Sequence, residues 1–330
     1  MKKLINDVDA ILRQSLSGFG RAHADLVTVD VEPAVIRRKA KARAGKVALI
    51  SGGGSGHEPL HGGYVGIGML DAACPGQVFT SPTPDQMLSA IEATDGGAGC
   101  LLIVKNYEGD VMNFDMAAEM APSRTARVLV NDDVAVENSS FTSGRRGVAG
   151  TVVVEKMTGA AAEAGMDLDG LEALGNAVNA ATRSMGCALT SCTVPAAGGP
   201  TFAIDEDEME MGVGIHGEPG RRRVPLASAS KIVEEMMQAV LGDLGPAKGD
   251  EVLLLVNGFG ATPLMELYLV YDEAAARAEA AGLKVTRSLV GNWCTSLDMA
   301  GCSVTVTRLD AETARLWDAP VHTAALRWGS

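Results

Sequence analysis

The sequence predicts an α/β protein built from two α/β domains, residues 1–183 and 184–330, each with a central sheet flanked by helices. Three observations carry this. The short apolar runs "KVALI" (46–50), "CLLIVK" (100–105) and "ARVLVN" (126–131) alternate with stretches of helical periodicity, as buried strands and crossover helices do. The alternation resumes in the second half with "EVLLLVNGFG", "KVTRSLVG" and "SVTVTRL". Glycine is abundant, 39 of 330 residues, while aromatic residues make up only 4%, so many loops bring backbone close to something else.

Taken in order, residues 4–24 place Val8, Ile11, Leu12 and Leu16 at helical spacing. The strand at 46–50 runs into a glycine-rich loop. Helices are expected at 83–93 and 112–120, between the strands at 100–105 and 126–131. From 148 to 185 the chain is helical and alanine-rich. The segment "CALTSCTVPAAGGP" that follows is rich in small residues. The acidic block 205–210 reads as a solvated turn, because clustered carboxylates need water. The boundary between domains is placed near residue 184. Beyond it come "EMGVGIHGEPG", a helix at "SKIVEEMMQAVL", a strand at "EVLLLVNGFG", a helix in "ATPLMELYLVYDEAAARAEAAG", and two closing strands.

Composition narrows the function. With 41 acidic against 28 basic residues the net charge is −13, against the basic surface that nucleic acid requires. The densest cationic run, "GRRR" (220–223), reads as a solvated loop. The N-terminus lacks the apolar core of a signal peptide, and no stretch reaches the roughly 18 apolar residues of a membrane helix. The six cysteines are scattered without C-x-x-C spacing, which fits reduced thiols in a cytoplasmic protein.

The stretch "SGGGSGHEPLHGG" (51–63) holds two signatures and completes neither. A Walker loop needs a lysine after its last glycine, where this chain has His57 and Glu58. The dinucleotide pattern G-x-G-x-x-G also fails, because His57 stands at its third glycine. "HEPLH" matches the zinc motif H-E-x-x-H, but that motif works only on a continuous helix, and Pro59 sits inside it. No metal is expected. His57 is left as a loop histidine beyond the end of a strand, where ligands of α/β sheets bind, and either packing or ligand contact suits it. His61 and His322 read as packed or surface residues, and His23 as structural.

Two further elements stand out. In "IVKNYEGDVMNFD" (103–115), Asp110 is either the N-cap of a following helix or a general base at a strand end. In "GVGIHGEPG" (212–220), His216 is flanked by glycines, and it is either a packed histidine or a nucleophile.

Together these segments, with "ACPGQVFTSPTPDQM", "NDDVAV", "GRRGVAGTV", "TVPAAG", "GATPLMELY", "CTSLDM" and "LWDAPVHTAALRWG", resemble the dihydroxyacetone kinase family, specifically its substrate-binding subunit. The likeness runs from near the N-terminus to the last residues. The opening "MKKLINDV" resembles the bacterial stand-alone subunit that works with phosphotransferase-system partners. One departure is the connection 242–250, shorter than in many members.

The resemblance implies that His216 forms a covalent hemiaminal with the ketone carbon of dihydroxyacetone. It implies acid/base and binding roles for His57 and Asp110, and a substrate site also lined by Gly54, Ser55, Gly56 and Lys105. A hemiaminal requires a carbonyl, so glycerol would be refused by reactivity as well as by fit. No cofactor is expected in this chain. Single-chain kinases of the family carry a nucleotide domain after this one; none is expected here after "RWGS", so ADP/ATP with Mg is expected on a nucleotide-binding kinase subunit. That subunit would be recharged by a phosphotransferase-system phosphocarrier subunit. A homodimer is implied. Two alternatives remain: a dihydroxyacetone-sensing regulatory paralogue, and a kinase subunit for a tetrulose such as erythrulose.

Overall fold

A computed structural model of the chain describes residues 2–135, 144–218 and 220–329. Val136 of "NDDVAV" and Pro219 of "GVGIHGEPG" lie outside the described residues. The first half runs α1 (Ile11–Ala22), β1 (Val27–Val31), β2 (Ala34–Arg38), β3 (Ala48–Ser55), a 3-10 turn (Gly62–Tyr64), β4 (Gly66–Ile67), β5 (Ala72–Val78), α2 (Pro84–Thr94), β6 (Cys100–Lys105), α3 (Glu108–Met120), β7 (Thr125–Val130), α4 (Gly150–Ala164) and α5 (Leu168–Ala180). The second runs β8 (Thr182–Ala188), β9 (Glu208–Met211), β10 (Arg222–Pro225), α6 (Ala229–Leu244), β11 (Glu251–Gly258), α7 (Leu264–Ala280), β12 (Lys284–Gly291), β13 (Gly301–Leu309), α8 (Ala311–Asp318), β14 (Val321–Thr323) and β15 (Arg327–Trp328).

The strands form two six-stranded sheets, ordered β1-β2-β5-β3-β6-β7 and β10-β9-β8-β13-β11-β12, and a small third sheet, β15-β14-β4. In the first sheet β3 pairs in parallel with both β5 and β6, and β6 with β7. The chain leaves β3 for β5 on one side and then crosses to β6 on the other. The carboxyl end of β3 is therefore a switch point, where open α/β sheets leave a crevice. The second sheet is antiparallel apart from the β11–β12 pair. Residue 184, the expected domain boundary, lies within β8.

Side-chain alternation explains the layering. On β3 and β6, Leu49, Leu101 and Ile103 face an apolar core shared with α4 and α5, while Ile50, Leu102 and Val104 face a core shared with α2 and α3. On β11, Leu253 and Leu255 join that first core from the other sheet, while Val252, Leu254 and Val256 face α6 and α7. One apolar core thus spans both sheets, and each fully buried aliphatic in it contributes about 1.5–3 kcal/mol. Helix α4, with "TVVVEKMTGAAA" apolar nearly all round, is buried from Gly150 to Ala162. Its start is fixed by Asp132, whose carboxylate accepts the N–H groups of Val148 and Gly150, both at 2.8 Å.

Four expectations need correction. The glycine run 52–54 is strand rather than loop, since β3 continues to Ser55. Residues 208–210 of the acidic block belong to β9, where Glu210 is buried and accepts from Gly220 N–H and Arg223. Arg222 and Arg223 of "GRRR" belong to the edge strand β10 and pair with Glu235 and with Glu208 and Glu210. The first helix starts at Ile11, later than its periodicity suggested.

Candidate active site

The glycines of β3 are required by what lies against them. A Cβ on Gly52 would sit 2.7 Å from the Cys74 carbonyl oxygen, one on Gly53 2.2 Å from Lys105 Nζ, and one on Gly54 2.6 Å from Thr80 N. The strand is thus bare so that a neighbouring strand, a lysine and the 79–80 turn can touch its backbone. Only Gly56 needs the left-handed region, at φ +108°. It is packed by Phe79 and Leu297, themselves non-glycine residues at positive φ (53° and 54°). Such conformations persist where surrounding structure imposes them, commonly around sites.

Residues 57–61 form a turn, not a helix, and the two histidines of "HEPLH" diverge. His57 Nδ1 meets the Thr295 carbonyl oxygen at 2.8 Å, whereas His61 Nδ1 meets Glu155 Oε1 at 2.6 Å. The 295–297 turn clamps this segment from the second sheet: Thr295 N–H donates to His57 O and Leu297 N–H to Gly56 O. Glu58, beside them, accepts the Gly56 N–H.

A carbonyl only accepts, so His57 Nδ1 carries the proton towards Thr295. Burial, with the neighbouring His216 and then Lys105 disfavouring a further positive charge, holds the His57 pKa well below its ordinary value. The ring is therefore neutral, and its buried Nε2, a lone-pair acceptor, has no hydrogen-bond partner. His57 stacks on Phe79 at 5.0 Å and stands edge-on to His216, with ring centroids 4.5 Å apart.

His216 lies beyond β9, between His57, Phe79 and the Tyr107 ring at 4.3 Å. Burial, then Lys105 and Arg146, lowers its pKa to about 3, so the imidazole is neutral and keeps a lone pair at physiological pH. Its backbone N–H donates to Glu218 Oε2 at 2.9 Å, and Arg146 holds Glu218 Oε1 at 3.1 Å. Arg146, itself buried, is anchored on Asp133 and the Gly212 carbonyl.

From β6 come Lys105 and, five residues on, Asp110. Helix α3 starts at Glu108, so Asp110 sits in its first turn, where the helix dipole favours a carboxylate, and it is not the N-cap. Both side chains are buried and meet at 3.2 Å between Nζ and Oδ2. Asp110 Oδ1 and the Tyr107 hydroxyl have no partner. A cavity of about 590 Å³ joins these parts, lined among others by Gly54, Phe79, Tyr107, Asp110, Thr201 and His216.

The structure thus brings Gly54, Asp110 and His216 around one cavity, with His57 against His216 and Lys105 against Asp110. Ser55 and Gly56 are outside the cavity lining; the Ser55 hydroxyl donates to Gly76 O at 2.7 Å. His322 is half-buried in β14, and His23 follows α1, its ring 4.8 Å from Phe19. Sequence reasoning missed Gly53, Phe79, Tyr107, Arg146, Glu218 and Thr295. Arg146 and Thr295 lie in "GRRGVAGTV" and "CTSLDM", segments noticed only as part of a resemblance.

The Dak1 domain matches residues 17–325. Over the full length of both chains this chain is 49% identical to the phosphoenolpyruvate-dependent dihydroxyacetone kinase, dihydroxyacetone-binding subunit DhaK, of Escherichia coli strain K12. Among solved structures it resembles the dihydroxyacetone kinase operon co-activator DhaQ, with TM-score 0.90, 33% identity and coverage of 97% of this chain and 98% of that one. It also resembles the dihydroxyacetone kinase of C. freundii, with TM-score 0.87, 34% identity, and coverage of 98% of this chain and 60% of that one. Among the described residues no helix is long and apolar enough to cross a membrane. With a domain match across nearly all its length and that identity to a full-length relative, the chain belongs to the dihydroxyacetone kinase family.

Proposed function

We propose that this chain is the dihydroxyacetone-binding subunit of a phosphoenolpyruvate-dependent dihydroxyacetone kinase, presenting the ketone for phosphorylation to dihydroxyacetone phosphate. One observation carries the reading: a neutral histidine, His216, packs against His57, whose buried Nε2 is unpartnered, and lines one cavity with Asp110, whose Oδ1 is unpartnered. Buried polar atoms are normally satisfied, so an open Asp110 oxygen on a residue lining the cavity, with an open His57 nitrogen packed against the cavity-lining His216, asks for a small polar ligand.

The chemistry follows from those atoms. The free ring nitrogen of His216 bonds to the ketone carbon, and the carbonyl π pair moves onto oxygen. That oxygen takes a proton while the ring gives up its own N–H proton, leaving a neutral hemiaminal. Glycerol has no carbon for this step. The covalent bond fixes the terminal hydroxyl, an orientation effect worth several kcal/mol. Asp110, paired with Lys105, accepts the hydroxyl proton as that oxygen attacks the γ-phosphorus of a nucleotide, with His57 Nε2 as a further acceptor. The nucleotide, ADP/ATP with Mg, is carried by a kinase subunit, which is recharged from phosphoenolpyruvate through a phosphocarrier of the phosphotransferase system. The subunit works as a homodimer in the cytoplasm.

Intact-mass measurement with dihydroxyacetone tests this. Wild type gains one ligand mass and His216→Ala does not, and NMR of ketone-labelled ligand shows a carbonyl carbon turned tetrahedral. An adduct that survives His216→Ala overturns the assignment of the nucleophile. An adduct without phosphoryl transfer in the presence of the kinase subunit would instead make the chain a sensor.

A further inference from the structure

Behind the cavity lies a buried chain of ionisable groups of which the reaction uses only the front. Glu155 sits in the middle of α4, in "VVVEKM", where the neighbouring Lys156 donates to the Leu316 carbonyl; the Glu155 side chain is fully buried with Oε2 unpartnered. Its Oε1 is 2.6 Å from His61 Nδ1. The other His61 nitrogen, Nε2, is 3.2 Å from Lys105 Nζ, which in turn is 3.2 Å from Asp110 Oδ2. A buried acid on so apolar a helix is costly and calls for a reason. Burial pushes the Glu155 pKa well above its ordinary value, against the pull of Lys105 and Ser51, and either protonation state leaves Oε1 able to accept.

Proton accounting fixes each link. The ammonium of Lys105 has three N–H groups and accepts nothing. Three acceptors surround it: Gly52 O at 3.4 Å, His61 Nε2 and Asp110 Oδ2. His61 Nε2 must therefore offer a lone pair, which puts the ring proton on Nδ1. From there it points at Glu155 Oε1 and at Ser51 Oγ, 3.0 Å away. Ser51 spends its own proton on the Ile103 carbonyl at 2.7 Å, so at His61 its oxygen accepts. Burial, with the Lys105 ammonium and then the neighbouring His57 disfavouring a further positive charge, holds the His61 pKa well below its ordinary value, consistent with a neutral ring. A Cβ at Gly53 would occupy the ammonium's place, at 2.2 Å.

We infer that His61 and Glu155 are positioning residues for phosphoryl transfer: Glu155 fixes the His61 tautomer, and His61 holds the Lys105 ammonium where it aims the Asp110 carboxylate at the substrate hydroxyl. This rests on Asp110 being the base of the proposed reaction. Without His61, one ammonium N–H loses its acceptor and Lys105 is free to swing, taking Asp110 off line. Misplacement of that order costs about tenfold to a hundredfold in rate.

The test uses the full chain with its kinase subunit. Histidine-15N NMR of the wild type should show His61 protonated at Nδ1 and bare at Nε2 around neutral pH; a proton on Nε2 overturns the inference. His61→Leu should lower kcat by about tenfold to a hundredfold with KM and the dihydroxyacetone adduct unchanged. His61→Gln, whose carbonyl restores an acceptor near Nε2, should recover much of the rate. Glu155→Leu should lower kcat too, yet add little in the His61→Leu background, because it acts through His61. Wild-type kcat in His61→Leu, or additive losses in the double variant, would refute the chain. If the wild type forms no adduct and transfers no phosphate, the functional reading fails, while the tautomer is still read independently.

Discussion

Two buried aspartates of this protein, Asp110 and Asp132, look alike in exposure and differ in what surrounds their oxygens. Asp132 Oδ1 accepts the Val148 N–H, and its Oδ2 accepts the Gly150 N–H and the Ser184 hydroxyl at 2.5 Å. Its own backbone carbonyl takes the Ser184 N–H, so it joins the end of the first sheet to β8 of the second. Asp110 has one partner, Lys105, and one open oxygen. The first carboxylate is fully engaged in holding the sheets together. The second is held on one side only and left open on the other, towards a cavity. What separates Asp110 from Asp132 is an unsatisfied oxygen on a residue that also lines a cavity.

That contrast can be broken by exchange. Asp110→Asn should cut phosphoryl transfer by about 10²- to 10⁴-fold while leaving the melting temperature and the adduct nearly unchanged. A large loss of stability instead would make Asp110 another joint. Asp132→Asn should act the other way round. Its amide NH2 would face N–H donors, costing about 3 kcal/mol of stability by denaturant titration, with turnover per folded molecule preserved.

The histidines extend the contrast to pH. His57, His61 and His216 all titrate below their unfolded value near 6.5 because they are buried beside cations. Below about pH 6.5 the unfolded chain binds protons that the folded chain refuses, so stability falls as pH falls. Each histidine contributes about 1.4 kcal/mol per pH unit until its folded-state value is reached, about 3 for His216. His216→Asn should flatten the acid side of a stability–pH curve measured by denaturant titration, and an unchanged curve would contradict the neutral burial argued for it. The smallest effect is expected at the edge. Arg222→Ala removes an exposed ion pair with Glu235 and should change stability by less than about 0.5 kcal/mol.

Much of this was legible in the sequence because local patterns carried it. Alternating apolar runs gave the layers, Pro59 argued against a helix through "HEPLH", and the glycine-flanked His57 and His216 stood out while staying open between packing and ligand contact, their roles coming only from the family resemblance. The rest depended on neighbours distant along the chain. The glycines of β3 were misread as loop because what they accommodate, Cys74, Lys105 and Thr80, lies elsewhere in the sequence. His61 passed as a packed residue because Glu155 and Lys105 meet it only in three dimensions. The charged pair inside "VVVEKM" was a visible anomaly, yet it does not say which residue it serves. Asp110 was open to two readings until its helix was seen to begin at Glu108.

The small third sheet has a consequence in time. Strand β14 pairs His322 with Ile67 and Thr323 with Gly66, and Ala325 N–H donates to Gly63 O, just past the turn that carries His57. Residues 63–67 thus wait for partners made roughly 250 residues later, an interval on the order of ten to fifty seconds at ordinary rates of synthesis. The 295–297 clamp on His57 arrives almost as late. On the ribosome, then, the glycine strand emerges early and stays incomplete, and competence to hold a ketone arrives as one late event for the whole chain.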